Sequence, residues 1–529
     1  MFDILIKNGL LVDGTGNKGE FNDVAITDGV IREIAPNISQ SAKEIIDASG
    51  LIVAPGFIDI HSHSDLCPFL EGLNPQSKLY QGVVLEIIGN CGISNLPVDN
   101  TSRQYMSEYM AATLELPMKD LMLEDDSIID YAEHIKRQPA ATNVGVLIGH
   151  GCLRGCVMGL GMRKASEAEL DEMKALLDRE LDRGAFGMSL GLIYPPSSYG
   201  DINEFVELAK VIKKHEGILT VHMRSESTKI FEAVEEMLEV VRQSKVHLEI
   251  SHLKLMGKPQ WGKAEKLLKI IKDARAEGLD INCDQYPYTA TSTGLSALVP
   301  KWAQDGGPEK MCERLTEPES KLLEEIEAEM ERRGGAHAVL VTSTHGKEIK
   351  YDGLYLDEIA KKMKLEPAAA AARLLAETGG AAHCCYFSLN KEDMLTIMKE
   401  KFISVGTDGY ALSYDKSFLG TNPHPRSFGT FPRFLQTVRE NELMPIEDAV
   451  YKITGLPASV LGLKNRGTLQ IGGKADVTIF NQERVLDKSE YMDSIQKPEG
   501  IVDVIISGKV ALRNGEQVNG RFGEVIFHK

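Results

Sequence analysis

The sequence predicts an α/β protein: a (β/α)8 TIM-like barrel with a small β-sandwich domain built from both termini and a helical insertion between barrel strands 7 and 8. Three observations support this fold class. Eight short apolar runs alternate with amphipathic helical segments, both chain ends are rich in short alternating strands, and a long segment separates the last two runs. A chain of 529 residues accommodates such a barrel and a satellite domain.

The two chain ends have the pattern of short strands. Apolar and polar residues alternate between Gly, Asn and Asp turns in residues 4–14, 23–36, 466–481 and 501–515. Two similar ends around a different middle predict one domain that both ends build. We therefore expect residues 1–55 and 465–529 to form the β domain and residues 56–464 to form the barrel.

The middle of the chain has the βα rhythm of a parallel sheet, whose strands are apolar because helices cover them. The eight runs span residues 56–65, 83–92, 143–151, 184–194, 217–226, 246–254, 280–290 and 402–409. Helix start signals lie between them. Ser166 with Glu169 is a capping-box pattern, and Asp201 with Glu204 opens the next helix. Eight strands with crossover helices predict a closed barrel rather than an open sheet.

A long segment, residues 291–401, separates the seventh run from the eighth. An ordinary connection between a strand and a helix is far shorter. Two stretches of it, residues 315–333 and 356–379, have helical periodicity. We interpret the segment as a helical lid or subdomain over the carboxyl-terminal face of the barrel.

The composition limits the classes of partner and the compartment. There are 59 Lys plus Arg against 77 Asp plus Glu, a net charge of −18, which disfavours nucleic acid and anionic membranes as partners. No apolar stretch approaches the roughly 18 residues that a membrane span needs, and the first residues lack the plan of a signal peptide. We expect a cytoplasmic protein in which most of the eight cysteines are buried thiols.

Five potential metal ligands stand at the ends of four of the apolar runs, and a carboxylate stands at the end of a fifth run. They are His61 and His63, Cys91, His222, His252, and Asp408. Each has an ordinary interpretation alone: Cys91 as a buried thiol, His222 as a core residue, Asp408 as part of a turn. Because all strands of a barrel end at one mouth, we expect these side chains to meet there. His150 and His345 also follow apolar runs and could line the same pocket.

Imidazoles with one thiolate are a ligand set that suits zinc, which leaves a coordination position open for water at catalytic sites. Zinc lowers the pKa of bound water to about 7. A carboxylate beside it can accept the water proton and deliver it to a leaving nitrogen. The sequence therefore predicts zinc-dependent hydrolysis, with Asp408 as the acid and base.

Several motifs resemble those of the N-acyl-D-amino-acid deacylase (D-aminoacylase) family of the amidohydrolase superfamily. HSHSD (61–65) and an isolated His at each of two strands are typical of the superfamily. More specific are GNCGIS (89–94), HMRSE (222–226), SHLK (251–254), CDQYPYTATST (283–293), GTDG (406–409) and HPRSFGTFPR (424–433). The resemblance covers essentially the whole chain. It departs from the family pattern where HSHSD replaces HTHDD and where SHLK replaces SHHK.

The resemblance implies a set of roles. Cys91, His222 and His252 would hold one tightly bound Zn²⁺, and His61 and His63 would form a second, weaker position that Cys91 bridges. Asp408 would be the general acid and base. Lys254, Tyr286 and Arg426 would bind the α-carboxylate of a small-molecule substrate. The implied reaction is hydrolysis of N-acyl-D-amino acids to a carboxylate and a free D-amino acid.

There are two alternatives, the first a related amidohydrolase and the second a protein of a different class. The first is a dihydropyrimidinase- or dihydroorotase-like enzyme that acts on cyclic amides or dipeptides. Such relatives usually bridge two metals with a carboxylated Lys on a barrel strand, and the runs GVLIGHG, FGMSLGLIY and CDQYPY contain no Lys. The second is an inactive protein with the same fold, which would be expected to have lost some of the ligands.

Overall fold

The computed structural model describes residues 1–116, 122–419, 421–518 and 520–528. Its centre is a sheet of eight parallel strands, labelled β1 to β8 in chain order. They span Phe57–Asp59, Val83–Ile88, Asn143–Gly149, Gly187–Gly191, Ile218–His222, His247–Ile250, Ile281–Gln285 and Ile403–Val405. Each strand lies within one of the eight predicted runs, and the strands are neighbours in chain order. The predicted barrel is confirmed.

The barrel closes where β1 meets β8, just beyond the ends of both strands. Ser62 and Gly409 form an isolated parallel bridge there. The backbone N–H of His63 donates to the carbonyl of Gly409 at 2.9 Å, and the N–H of Asp408 donates to the carbonyl of His61 at 2.7 Å. These bonds hold the HSH and TDG segments side by side at the mouth of the barrel.

Helices surround the barrel between its strands. They span Ser77–Tyr80, Arg103–Thr113, Ile128–Arg137, His150–Met158, Glu167–Asp182, Ile202–Lys214, Ile230–Ser244, Ala264–Ala276, Lys391–Met398, Lys416–Leu419, Arg426–Glu440, Ile446–Ile453 and Gly455–Val460. The capping box of Ser166 and Glu169 is present, and Asp201 accepts the N–H of Glu204. None of the helices in the described ranges has the length and apolar character to cross a bilayer.

Two further sheets form the β-sandwich. One has four strands in the order Val30–Ala35, Asp23–Thr27, Phe2–Lys7 and Ala42–Asp47. The other takes strands from both chain ends, in the order Glu516–Gln517, Lys509–Arg513, Ile501–Ile506, Val477–Phe480, Ile52–Pro55, Leu10–Leu11 and Glu20–Phe21. This confirms the predicted sandwich of both termini, whereas the exact boundaries of the three domains stay a prediction.

The seven-stranded sheet uses both of its faces. Val477 contributes to the apolar core between the two sheets, together with Ile6 and Val24 of the smaller sheet. Phe480 lies in a second core that includes Phe57 of the barrel. The alternation of side chains along a strand explains this arrangement, because neighbouring residues face opposite sides.

The insertion after β7 contains more than the predicted helices. Its helices span Pro308–Thr316, Ser320–Arg332, Leu356–Met363 and Pro367–Thr378. It also contains an antiparallel sheet, in the order Thr291–Gly294, His383–Tyr386 and Val339–Ser343. Apolar runs of four or five residues do not distinguish a strand from a buried helical segment by periodicity. The insertion has its own apolar core, to which these helices and strands contribute.

Candidate active site

The candidate ligands meet at the mouth of the barrel, although they are far apart in the sequence. His61 and His63 follow β1, Cys91 follows β2, His222 ends β5, and His252 follows β6. Asp408 follows β8. All six side chains are buried. The structure therefore brings together the residues that the positions of the strand ends predict.

Cys91 lies at the centre of this group. Its Sγ is 3.3 Å from His61 Nε2, 3.7 Å from His222 Nδ1 and 3.6 Å from His252 Nε2. Zinc bonds of about 2.0–2.3 Å in a tetrahedron separate neighbouring ligand atoms by about 3.3–3.8 Å. Each of the three sulfur–nitrogen distances therefore suits a thiolate and an imidazole that bind the same zinc-sized ion, and imidazoles with a thiolate are a suitable donor set.

Two overlapping groups of possible ligands share Cys91. One group is Cys91 with His222 and His252, and the other is Cys91 with His61, His63 and Asp408. Asp408 Oδ1 lies 3.0 Å from His63 Nε2 and 3.3 Å from His61 Nε2. The geometry accommodates one cation in each group with the sulfur between them.

Three of these residues have a strained backbone. The φ angles of Cys91, His252 and Asp408 are +54°, +38° and +51°. A non-glycine residue in this left-handed region costs about 1–3 kcal/mol and is common at functional sites. Hydrogen bonds help to hold this backbone conformation. For example, the N–H of His252 donates to Asp284 Oδ1 at 2.8 Å.

Both acidic groups at the centre are held as anions. Burial disfavours the thiolate of Cys91, but the imidazoles around it, His61 above all, lower its pKa well below the ordinary value. Burial likewise disfavours the carboxylate of Asp408, but the guanidinium of Arg426 and the nearby imidazoles hold its pKa well below the usual range.

Two carboxylates that contact the imidazoles are not identified when the sequence is searched for ligands at strand ends. Asp284 Oδ2 is 3.1 Å from His61 Nδ1, and Glu226 Oε1 is 3.0 Å from His252 Nδ1. Both fall inside the quoted motifs, in CDQYPY and HMRSE. The sequence signal that could identify Asp284 is its place near the end of β7, two residues before Tyr286, because residues two apart in an extended segment face the same side.

Of the three residues proposed to bind a substrate carboxylate, Lys254 and Arg426 flank the aromatic ring of the third, Tyr286. Lys254 Nζ and the Arg426 guanidinium lie 5.6 Å and 5.5 Å from the centre of the Tyr286 ring. Lys254 donates to Glu226 at 2.6 Å. Arg426 forms an ion pair with Asp408, and its Nη2 donates to the carbonyl of Ser292 at 3.2 Å. Both cations therefore already have a carboxylate partner.

A cavity of about 900 Å³ opens from the cluster toward the insertion. Its inner end is lined by His222, His252 and Asp408 together with Lys254 and Tyr286. Its outer wall includes residues of the insertion helix Ser320–Arg332. The Tyr286 hydroxyl, at the inner end, has no hydrogen-bond partner within the described ranges, so it is available to a bound molecule.

His150 and His345, the other two histidines predicted to line the pocket, lie to the side of the cluster. His150 Nδ1 and Nε2 are each 2.8 Å from a partner, Ser197 Oγ and Glu204 Oε1. The ring of His345 contacts that of His383 in the insertion. Both histidines therefore contact residues outside the group of candidate ligands.

Comparisons with known proteins identify the family of the chain. Residues 44–372 and 410–512 match the profile of the Amidohydrolase family. D-aminoacylase of Alcaligenes xylosoxydans xylosoxydans is 32% identical over 96% of this chain and 94% of its own, and N-acyl-D-aspartate deacylase of that organism is 32% identical over 99% and 95%.

A solved structure resembles the whole chain. N-acyl-D-glutamate deacylase from Bordetella bronchiseptica, complexed with zinc and a phosphonate inhibitor, superposes with a TM-score of 0.83 at 30% identity, and 99% of each chain is covered. The chain therefore belongs to the amidohydrolase family, in the group that contains D-aminoacylase and the N-acyl-D-amino-acid deacylases.

Proposed function

We propose that this protein hydrolyses the amide bond of N-acyl-D-amino acids and releases a carboxylate and a free D-amino acid. The observation that carries the proposal is the thiol of Cys91 within 3.3–3.7 Å of three imidazoles at the mouth of the barrel. The whole-length similarity to enzymes that deacylate D-amino acids supports the choice of substrate.

The metal that we propose is zinc. Cys91, His222 and His252 would hold one tightly bound ion, and His61 and His63 with Cys91 would form a second, weaker site. His222 Nδ1 and His252 Nε2 face the sulfur of Cys91 at 3.7 Å and 3.6 Å, as suits two imidazoles that would bind one cation together with the thiolate. When bound, zinc supplies a Lewis acid that polarises the amide carbonyl and lowers the pKa of water.

Asp408 is our choice for the group that moves the proton. Its carboxylate lines the cavity beside both groups of ligands, where it can reach the attacking water and the amide nitrogen. We propose that it accepts a proton from the water and delivers it to the leaving nitrogen, so that the amine departs neutral. Arg426 holds one of its oxygens in place.

Lys254, Tyr286 and Arg426 would bind the α-carboxylate of the substrate. Lys254 and Arg426 carry further N–H donors beyond those that their carboxylate partners accept, and the Tyr286 hydroxyl between them has no partner among the described residues, so the three could donate to a carboxylate. A carboxylate fixed there and a carbonyl fixed at the metal leave one direction for the side chain, which is how such a site can distinguish D from L amino acids. The D preference itself is proposed from the relatives.

The cyclic-amide alternative is less well supported. The ends of β3, β4 and β7 carry no Lys that could be carboxylated. The sulfur of Cys91 occupies the position between the two groups of ligands. We therefore favour linear amides.

The test is a hydrolysis panel with metal analysis on the same sample. N-acetyl-D-amino acids with neutral and acidic side chains are compared with the matching L compounds and with hydantoin and dihydrouracil. We expect turnover of D compounds by zinc-containing protein. Preferred turnover of the cyclic compounds would favour the alternative, and a protein without zinc or turnover would reject the proposal.

A further inference from the structure

We propose that Glu226 is a positioning residue that holds the His252 imidazole of the tight metal site and the ammonium of Lys254 at the same time, and that its second oxygen faces the His222 imidazole. Glu226 lies four residues after His222 and is 5% exposed. The inference rests on the proposed function, because it assumes the metal at Cys91, His222 and His252. It adds a link between metal binding and the residue proposed to receive the substrate.

Each imidazole lies between the thiol and this carboxylate. His252 has Nε2 at 3.6 Å from Cys91 Sγ and Nδ1 at 3.0 Å from Glu226 Oε1. His222 has Nδ1 at 3.7 Å from the same sulfur and Nε2 at 3.6 Å from Glu226 Oε2. The two rings therefore face the metal position with different nitrogens, and one carboxylate lies behind both.

This arrangement is the one that fixes a metal-binding histidine. A neutral imidazole that binds a cation through one nitrogen carries its proton on the other, and a carboxylate that accepts this proton sets the orientation and basicity of the ring. The 3.0 Å contact with His252 is a hydrogen bond, whereas the 3.6 Å contact with His222 is too long for one. We therefore expect His252 to depend more on Glu226.

Lys254 competes for the same position. Its Nζ is 2.6 Å from Glu226 Oε1, 2.6 Å from His252 Nδ1 and 2.9 Å from the carbonyl of His252. Once His252 Nδ1 carries a proton, it cannot accept from the ammonium. Glu226 Oε1 is then the acceptor that both share, which holds Lys254 beside the cavity.

The buried ion pair has a competing explanation that is purely structural. Lys254 is 6% exposed, and removal of one partner of a buried pair destabilises a protein because the other charge is left uncompensated. The test must therefore measure metal affinity separately from stability, and it must include a variant that leaves no lone ammonium.

The experiment compares zinc affinity, measured by chelator competition on the folded protein, in four variants. For Glu226→Gln we expect zinc affinity about 10–100-fold below wild type. Glu236→Gln is the matched control, because Glu236 lines the same cavity but pairs with Arg224, and its zinc affinity should be unchanged. At saturating zinc, Glu226→Gln should also raise KM more than it lowers kcat.

A double variant tests the inference even if Glu226→Gln does not fold. Glu226→Gln combined with Lys254→Met removes both buried charges, and its zinc affinity is compared with that of Lys254→Met alone. We expect a loss of about 10–100-fold between these two. A difference below twofold would overturn the inference. A wild type that binds zinc tightly but hydrolyses no N-acyl-D-amino acid would reject the proposed function and leave this comparison valid.

Discussion

At the scale of single residues, the site depends on side chains that the backbone holds in costly conformations. Cys91 and Asp408 both have positive φ angles, and both lie in turns directly after a strand. Their positions at strand ends are visible in the sequence, since apolar runs can be read directly. The contacts of Glu226 and Asp284 are not visible in the sequence, because the position of a carboxylate within a motif does not indicate which imidazole it contacts.

Substitution of Cys91 by Ala should remove tightly bound zinc and activity together. The sulfur is the atom that the two groups of ligands share. Loss of an outer partner costs about 10–100-fold in metal affinity, so loss of this ligand should exceed about 100-fold. Metal analysis after dialysis measures it. Cys283→Ala, which removes a buried thiol of β7, should keep its zinc; an active, zinc-replete Cys91→Ala protein would refute the assignment.

Substitution of Asp408 by Asn should retain the tightly bound metal but reduce kcat by about 10²–10⁴-fold, because the amide cannot take up a proton as the carboxylate does. Steady-state kinetics and zinc content of the same preparation test this. Turnover within a few fold of wild type would exclude Asp408 as the proton carrier.

At the scale of elements, a buried network supports the loop after β4. His150 lies between Ser197 Oγ and Glu204 Oε1 at 2.8 Å each, and Arg154 pairs with Glu204. The order Ser–His–Glu resembles a hydrolase triad, but Ser197 is buried and its Oγ accepts the N–H of Gly191 at 3.1 Å. We interpret the network as a support for Tyr194, whose hydroxyl is 3.0 Å from Thr293 Oγ1 at the cavity.

Ser197→Ala should therefore lower stability rather than abolish catalysis. It leaves His150 Nδ1 and the N–H of Gly191 without this partner, which costs about 1–3 kcal/mol. Denaturant unfolding measures the loss, and kcat should stay within about tenfold of wild type. A thousandfold loss of kcat with zinc still bound would instead identify Ser197 as a nucleophile.

The predictability of elements differs between the barrel and the insertion. The barrel strands follow from their apolar runs, because burial on both sides makes most of their positions apolar. The strand Val339–Ser343 of the insertion cannot be predicted in this way, because a short apolar run between two helices is equally typical of a connecting segment. The capping residues Ser166 and Asp201 were informative because each cap satisfies a specific backbone N–H.

At the scale of the whole molecule, a buried ammonium joins the first and last strands of the barrel. Lys78 is fully buried, and its Nζ lies 2.5 Å from Asp59 Oδ2 and 2.5 Å from Thr407 Oγ1. It also donates to the carbonyl of Gly409 at 3.2 Å. This residue therefore holds together the two segments that carry His61 and Asp408.

Lys78→Met should destabilise the protein by about 3–5 kcal/mol, because Asp59 would remain as an uncompensated buried charge. The free energy of unfolding in denaturant measures this. The exposed Lys399→Met is the matched control and should stay within about 0.5 kcal/mol of wild type. Equal stability of the two variants would show that the barrel closes without Lys78.

The path of the chain has a consequence for its synthesis. Strand Ile52–Pro55 pairs with Val477–Phe480, and Val144 on β3 forms a bridge with Val525. A ribosome holds the most recent residues of a nascent chain in its exit tunnel, so neither pairing can form before the later partner has left the tunnel. Strand Ile52–Pro55 must therefore wait, unpaired on that edge, until the whole barrel has been synthesised.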